Sequence, residues 1–168
     1  SLTLNRLCGS GLEAVTFATQ QLQLGEVGVA VAGGTESMSS AAHLLTTNRW
    51  GQPMGESKLQ DELTGGLTDP FGVGHMGVTA ENLAEKYVIS REEQDAFALL
   101  SQQRATAAIE AGHFKSQITP YEIATRKGSI VFDTDEHPRA DTSAEGLSKL
   151  RAVFKEGGTV TAVPPSLN

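Results

Sequence analysis

The chain has 168 residues, a formal net charge of −7 at pH 7, four histidines and a single cysteine. One cysteine excludes an internal disulfide and is typical of a reducing compartment, so we expect a cytoplasmic protein. The acidic net charge argues against a nucleic-acid partner. The apolar runs are too short to cross a bilayer. The four histidines are scattered without metal-ligand spacing, so no metal is expected.

The chain opens with the pattern of a strand, a helix and a second strand. Residues 2–7 lean apolar and read as a short strand, and residues 9–24 carry apolar side chains at helical spacing up to Gly25. Residues 27–32 are small, apolar and continuous, which is typical of a strand covered on both faces. Together these segments predict a βαβ unit.

The next part of the chain changes character. Residues 39–78 are rich in Gly, Thr, Ser and Met, and a loop of that length is usually functional or disordered. A short helix is predicted over 79–88, with its first residue as the N-cap. Ser90 and Glu93 form the pattern of a capping box, which opens a long helix that reaches about residue 111.

The last third alternates between strands and helices. Residues 118–125 and 129–133 read as two strands joined by a turn at 126–128. Residues 142–154 read as one or two short helices, and 157–168 as irregular chain. The pattern as a whole predicts the α/β class.

Cys8 lies at the junction between the first predicted strand and the first predicted helix. Unpaired amide groups at a helix start carry partial positive charge, which stabilises a thiolate and makes it a better nucleophile. Gly9 and Gly11 add no side chains, so a substrate could approach the sulfur closely. Position alone leaves a second interpretation open, a small buried apolar cysteine.

Seven segments of the chain, taken in order, resemble the thiolases, the enzymes that make or cleave 3-ketoacyl-CoA. The segment around Cys8 is similar to the nucleophile segment of that family. Because the segments follow in family order over nearly the whole chain, the set is far more specific than any one of them. They are residues 5–14 (Asn-Arg-Leu-Cys-Gly-Ser-Gly-Leu-Glu-Ala), 29–39 (Val-Ala-Val-Ala-Gly-Gly-Thr-Glu-Ser-Met-Ser), 65–69 (Gly-Gly-Leu-Thr-Asp), 74–82 (Gly-His-Met-Gly-Val-Thr-Ala-Glu-Asn), 90–95 (Ser-Arg-Glu-Glu-Gln-Asp), 148–151 (Ser-Lys-Leu-Arg) and 158–162 (Gly-Thr-Val-Thr-Ala).

The resemblance implies a thiolase-like βαβ core piece with a long α+β loop-domain insertion. Residues 1–34 would be part of the N-terminal core, 35–160 the loop domain that covers CoA, and 161–168 a return toward the core. Family segments that carry a second cysteine, a histidine and an asparagine have no match here, so we expect an internal fragment.

The resemblance also implies acyl transfer through a thioester on Cys8, with CoA thioesters as substrates and no separate cofactor. The reaction would be Claisen condensation or thiolytic cleavage, and the isolated chain would be incomplete. Two other functions stay open: a non-catalytic CoA-binding or interaction fragment, and a condensing enzyme of the ketoacyl-synthase type. Thiolase-like proteins are oligomers, so a homodimer or homotetramer is expected, with no membrane partner.

The family pattern also assigns substrate-binding roles outside the nucleophile segment. His75 and Met76 match a pair that lines the pantetheine and acyl pocket. Leu67 and Phe154 also match pocket-lining positions, although a core role is equally open for both. Arg139 matches an arginine that meets the CoA phosphates, although a solvated ion-pair role is equally open. Ser166 matches a serine that bonds pantetheine, but Val163-Pro164-Pro165 departs from the family pattern just before it.

Overall fold

The structure, a computed structural model, describes residues 1–161. It divides into two compact units, Ser1–Gly72 and a second that begins at Val73. Its helices are α1 (Ser10–Gln23), α2 (Glu62–Gly66), α3 (Met76–Tyr87), α4 (Arg91–Glu110) and α5 (Ala144–Ser148). Its strands are β1 (His43–Leu44), β2 (Gln60–Asp61), β3 (Thr68–Asp69), β4 (Gly74–His75), β5 (Tyr121–Thr125) and β6 (Gly128–Phe132). A single 3₁₀ turn covers Met38–Ser40. The domain boundaries inferred from the family resemblance stay a prediction.

The first predicted helix is confirmed as α1, but the two strands predicted beside it are wrong for this structure. Within residues 1–161, neither 2–7 nor 27–32 forms a hydrogen-bonded strand. Every residue of 27–32 is exposed, with Val29 at 86% and Val31 at 98%, so the second segment has no cover on either face. A buried parallel strand depends on neighbouring strands and covering helices, and the described residues provide neither for these segments.

The glycine-rich stretch contains short elements rather than one long loop. Strands β1 and β2 pair antiparallel, with His43 opposite Asp61. Asp61 then caps α2, because its carboxylate accepts the Leu63 N–H at 3.0 Å and the Thr64 hydroxyl at 2.8 Å. These two bonds hold the pKa of Asp61 below its ordinary value, the Thr64 hydroxyl being the larger cause.

Helix α3 begins three residues before the start predicted from the sequence. Its N-cap is His75, whose Nδ1 accepts the Gly77 N–H at 3.0 Å, and not Thr79. The helix ends at Tyr87, and its C-cap Val88 adopts the left-handed conformation with φ 55°. The prediction missed this start because imidazole is not among the usual capping side chains.

Helix α4 has the predicted capping box. The Ser90 hydroxyl accepts the Glu93 N–H at 3.2 Å, and the Glu93 carboxylate accepts the Ser90 N–H at 2.8 Å. Arg91 then joins this helix to the α5 region, since its guanidinium donates to the Leu147 and Leu150 carbonyls at 2.5 and 3.0 Å. The Arg91 Nε donates to the Asp95 carboxylate at 2.9 Å, and this bond orients the planar guanidinium group.

The predicted strand pair forms the antiparallel hairpin β5–β6, with Tyr121 opposite Phe132 and Thr125 opposite Gly128. Gly128 has φ 129°, a conformation that other residues rarely adopt. Of the helices predicted over 142–154, only the five-residue α5 is present, capped by Ser143. The rest of that segment is irregular.

Little of the described chain is fully buried. Ala84 and Leu147 are the buried hydrophobic side chains among residues 1–161, and Glu81 is the buried polar one. Gly77, Glu81 and Ala84 are all buried and share one face of α3, so the core of the second unit is organised on that face. No helix in the described residues has the length and apolar character needed to span a membrane.

We expect Ser90→Ala to lower the free energy of unfolding by about 1 kcal/mol, because the Glu93 N–H loses the Ser90 hydroxyl as its acceptor at the start of α4. Urea unfolding followed by circular dichroism measures the change. Ser101→Ala, an exposed position within the same helix, is the matched control and should not destabilise the chain. Equal losses in the two variants would contradict a role for the capping box.

Candidate functional site

Cys8 follows a strained turn. Leu7 adopts φ 51°, which costs a non-glycine residue roughly 1–2 kcal/mol. Ser10 holds the turn, because its hydroxyl donates to the Leu7 carbonyl at 2.7 Å and accepts the Arg6 N–H at 2.8 Å. The Asn5 side chain accepts the Leu7 N–H at 3.0 Å. The polar residues of the nucleophile segment therefore fix the backbone that presents the cysteine.

Cys8 is a free, exposed thiol one residue before the N-cap of α1. Its exposure excludes the interpretation as a small buried apolar cysteine. The N-cap is Gly9, and no side chain caps the helix, so the first turn of α1 keeps backbone amide groups that no capping side chain satisfies. This arrangement can stabilise an anion that develops next to the thiol.

A second family segment meets the nucleophile segment at the start of α1. A Cβ added to Gly34 would lie 3.7 Å from the Gly11 Cα, so the two glycine backbones run close together. Gly34 belongs to the segment 29–39 and Gly11 to the segment 5–14. The first unit therefore brings two of the seven resembling segments into contact.

In the second unit, His75 and Phe154 stack on each other. Their ring centroids are 5.1 Å apart and the ring planes differ by 18°. A Cβ added to Gly77 would clash with the Phe154 ring, so the ring occupies the space that the glycine leaves open. Met76, the first residue of α3, lies between His75 and Gly77 in the chain. The structure thus brings together two of the residues assigned to the pocket, His75 and Phe154, and Met76 adjoins His75 in the chain.

The cap on α3 also determines which nitrogen of His75 is available. Nδ1 accepts the Gly77 amide hydrogen at 3.0 Å, so the neutral imidazole carries its hydrogen on Nε2. Nε2 is then a hydrogen-bond donor for a ligand. A single residue therefore starts the helix, stacks on an aromatic ring and offers one donor.

Sequence reasoning missed Glu81, the buried carboxylate of α3. Its oxygens accept the Thr159 N–H at 3.0 Å and the Val160 N–H at 2.8 Å. Gln94 of α4 donates to the Thr159 hydroxyl at 3.0 Å, so the same segment is held by two helices. A signal was present: Glu81 falls four residues after Gly77 and three before Ala84, on the apolar face of the helix.

Arg139 lies beside α4. Its backbone N–H donates to the Gln102 side chain at 2.9 Å, and its carbonyl accepts the Thr142 hydroxyl at 2.9 Å. A cavity of about 190 Å³ lies between this turn and α4, lined in part by Gln103 and Glu110. The main chain of Arg139 is therefore anchored at the edge of this cavity, and its assigned role toward phosphates stays a prediction.

Two other predicted residues are not part of the His75–Phe154 stack. Leu67 belongs to the first unit, where it caps the C-terminus of α2 and donates its N–H to the Leu63 and Thr64 carbonyls. Ser166 lies outside the described residues. Their assignments stay predictions.

A larger cavity, of about 330 Å³, lies against α3 and the segment that bonds to Glu81. At its rim, Lys155 donates to Glu85 at 2.7 Å. This bond lowers the pKa of Glu85 and raises the pKa of Lys155. Both side chains are exposed, so water and salt screen the pair. Within the described part of the chain, no three His, Cys, Asp or Glu side chains cluster as metal ligands would.

The sequence and the fold are similar to those of characterised proteins. The chain is 55% identical over 163 residues to the β-ketothiolase BktB of Cupriavidus necator, and 52% identical over 164 residues to an acetyl-CoA acetyltransferase of Pseudomonas aeruginosa. These alignments cover 96% of this chain but 41% and 42% of the relatives. The chain therefore spans about two fifths of the length of the curated relatives it matches.

Comparison with solved structures also finds similar proteins that this chain matches over part of their length. The crystal structure of the Bacillus anthracis acetyl-CoA acetyltransferase matches with a TM-score of 0.88 at 47% identity, and covers 94% of this chain and 40% of its own. Human mitochondrial 3-ketoacyl-CoA thiolase in complex with CoA matches with a TM-score of 0.86 at 46% identity, and covers 96% and 40%. The predicted α/β thiolase fold is confirmed by these matches.

The family model described as the N-terminal domain of thiolase matches residues 1–166. That range includes the turn at Cys8, the His75–Phe154 stack and the segment bonded to Glu81. The resemblance drawn from seven short segments is therefore confirmed over nearly the whole chain, and this chain belongs to the thiolase family.

Proposed function

We propose that the protein to which this sequence belongs transfers acyl groups between CoA thioesters through a thioester on Cys8. The observation that carries the proposal is the exposed thiol, placed by a left-handed turn at a helix start that no side chain caps. The similarity to a β-ketothiolase and to acetyl-CoA acetyltransferases supports this chemistry.

In the first half-reaction, the Cys8 thiolate attacks the carbonyl carbon of an acyl-CoA. The C–S bond to CoA breaks, CoA leaves as a thiolate that takes up a proton, and the acyl group stays on Cys8. The exposed amide groups at the start of α1 are suited to stabilise the negative charge that develops in this step.

In the second half-reaction, the acyl group passes to the α-carbon of another acyl-CoA, or to CoA in the thiolytic direction. Removing the α-proton requires a base, which the family resemblance assigns to a second cysteine. The chain contains only Cys8. We therefore propose that these 168 residues form the acyl-enzyme but do not complete the cycle, which also supports a second candidate function, a CoA-binding module without turnover.

The substrate would be bound by the residues that the second unit holds in place. His75, Met76 and Phe154 would line the pantetheine and acyl pocket, with Nε2 of His75 as a donor to it. Arg139 would meet the phosphates, which suits its forked guanidinium. Leu67 and Ser166 complete the proposed set. CoA thioesters are the substrates, and no separate cofactor is proposed.

We also propose a cytoplasmic homodimer or homotetramer that acts in fatty acid metabolism. Leu12, Val15 and Leu22 recur at helical spacing on α1, and all three are exposed. An apolar stripe of this kind is suited to pack against another subunit. Sedimentation at several concentrations tests this part of the proposal.

The first test mixes the purified chain with acetyl-CoA and measures the intact mass. We expect the wild-type chain to gain one acetyl group on Cys8, and Cys8→Ser to gain none, because the turn and the helix start act on the thiol without other segments. Acetoacetyl-CoA formation should not exceed that of Cys8→Ala. A thiol that reacts with iodoacetamide but gains no acetyl group would contradict this activation.

A second test addresses the phosphate subsite. We expect Arg139→Gln to weaken CoA binding by about fivefold to tenfold, because one charge-assisted contact to phosphate is lost. Binding of pantetheine, which has no phosphates, should not change. Arg126→Gln in the β5–β6 turn is the matched control. Equal weakening for CoA and pantetheine would contradict the phosphate role and indicate a loss of packing.

A further inference from the structure

Among the described residues, Glu81 is the one charged side chain that is buried, and it is only 4% exposed. The proposed chemistry does not use it. Burying a carboxylate is unfavourable unless its oxygens receive strong hydrogen bonds. Here the donors are backbone amides of a segment 78 and 79 residues away in sequence. The bonds therefore fix a distant piece of backbone onto α3.

The contact between Glu81 and this segment leaves the carboxylate little freedom to move. Thr159 N lies 3.0 Å from each oxygen of Glu81, and Val160 N lies 2.8 Å from Oε1. A Cβ added to Gly158 would clash with Oε1, so the carboxylate lies directly against the Gly158 backbone. The glycine is required by this close approach.

The same segment carries Phe154. The Val153 N–H donates to the Val160 carbonyl at 3.4 Å, and the Gly158 N–H donates to the Lys155 carbonyl at 3.0 Å. These bonds close residues 153–160 into a compact loop, so holding one end also limits the other. Phe154 stacks on His75 and fills the space above Gly77 on the same face of α3.

We propose that Glu81 is a positioning residue for the pocket that binds the CoA thioester. By holding Thr159 and Val160, it keeps Phe154 against His75 and so sets the wall that these two rings form. What the wall binds rests on the proposed function, whereas the effect of Glu81 on the stack does not. The Glu85–Lys155 pair also joins α3 to the loop, but both of its side chains are exposed, so it contributes far less.

The principal variant is Glu81→Gln, which keeps the volume and removes the charge. Because Thr159 N lies 3.0 Å from both oxygens, an amide nitrogen in either position places a donor against that N–H. Glu92→Gln makes the same change at an exposed position of α4 and is the matched control.

Two measurements on the 168-residue chain compare these variants with the wild type. Proton NMR measures the ring-current shift that Phe154 imposes on the His75 ring protons, with Phe154→Leu as the reference for its complete loss. Calorimetry measures acetyl-CoA binding. We expect Glu81→Gln to lose most of the ring-current shift and to weaken binding by about fivefold, while Glu92→Gln matches the wild type.

A double-mutant cycle separates positioning from general destabilisation. Glu81→Gln should weaken binding in the wild-type background and have no further effect in the Phe154→Leu background, because the stack is then already absent. Additive losses would overturn the proposal. So would a Glu81→Gln variant that keeps both the ring-current shift and the wild-type affinity.

Gly158→Ala provides an independent test if Glu81→Gln does not fold. It retains the carboxylate and displaces it from the loop, so the ring-current shift should again be lost, and a retained shift would overturn the proposal. If the wild-type chain does not bind acetyl-CoA, while either variant loses the ring-current shift, the proposed function fails and the positioning role of Glu81 stands.

Discussion

The second unit depends on one contact, between the buried carboxylate of Glu81 and the amides of Thr159 and Val160. The carboxylate would be unfavourable on the apolar face of α3 without these donors, and the donors would lack an acceptor without the carboxylate. Gln94 brings α4 to the same segment through the Thr159 hydroxyl. Arg91 then extends the connection from α4 to the carbonyls at 147 and 150. Polar contacts, rather than a large apolar core, therefore hold these helices together.

The two units hold different parts of the proposed site. In the first unit, hydrogen bonds from Asn5 and Ser10 maintain Leu7 in a conformation that its side chain disfavours, and the cysteine follows at once. In the second unit, His75 caps α3 and stacks on Phe154, whose ring fills the space that Gly77 leaves open. Contacts within the chain hold both arrangements, and preorganisation of this kind reduces the free-energy cost of binding.

Local signals in the sequence predicted some of these features well. The Ser90–Glu93 capping box and the β5–β6 hairpin follow from residue types at fixed spacing, and both are present. The strands over 2–7 and 27–32 were wrong because strand formation depends on partners, which the local pattern does not contain. The start of α3 was missed because His75 caps it with an imidazole nitrogen.

The candidate site also contains residues that the sequence identified and one residue that it did not. Resemblance to the thiolases selected Cys8, His75, Met76 and Phe154, and the structure stacks His75 on Phe154, although the roles of all four are still predictions. Glu81 was missed because a lone glutamate in a helix is normally read as a solvated side chain. Its partners are main-chain amides far along the chain, and no side-chain pattern encodes them.

That sequence separation has a consequence for the order of folding. The bonds of Glu81 close a loop of nearly 80 residues, whereas the capping box and the hairpin join neighbours. Loop-closure entropy must be overcome before such distant contacts stabilise the chain, so the local elements form early and the docking of the 153–160 loop comes late. During synthesis, α3 and α4 leave the ribosome long before Thr159 does. The face of α3 that carries Gly77, Glu81 and Ala84 therefore stays uncovered until that part of the chain has been made, and an uncovered face of this kind can associate wrongly.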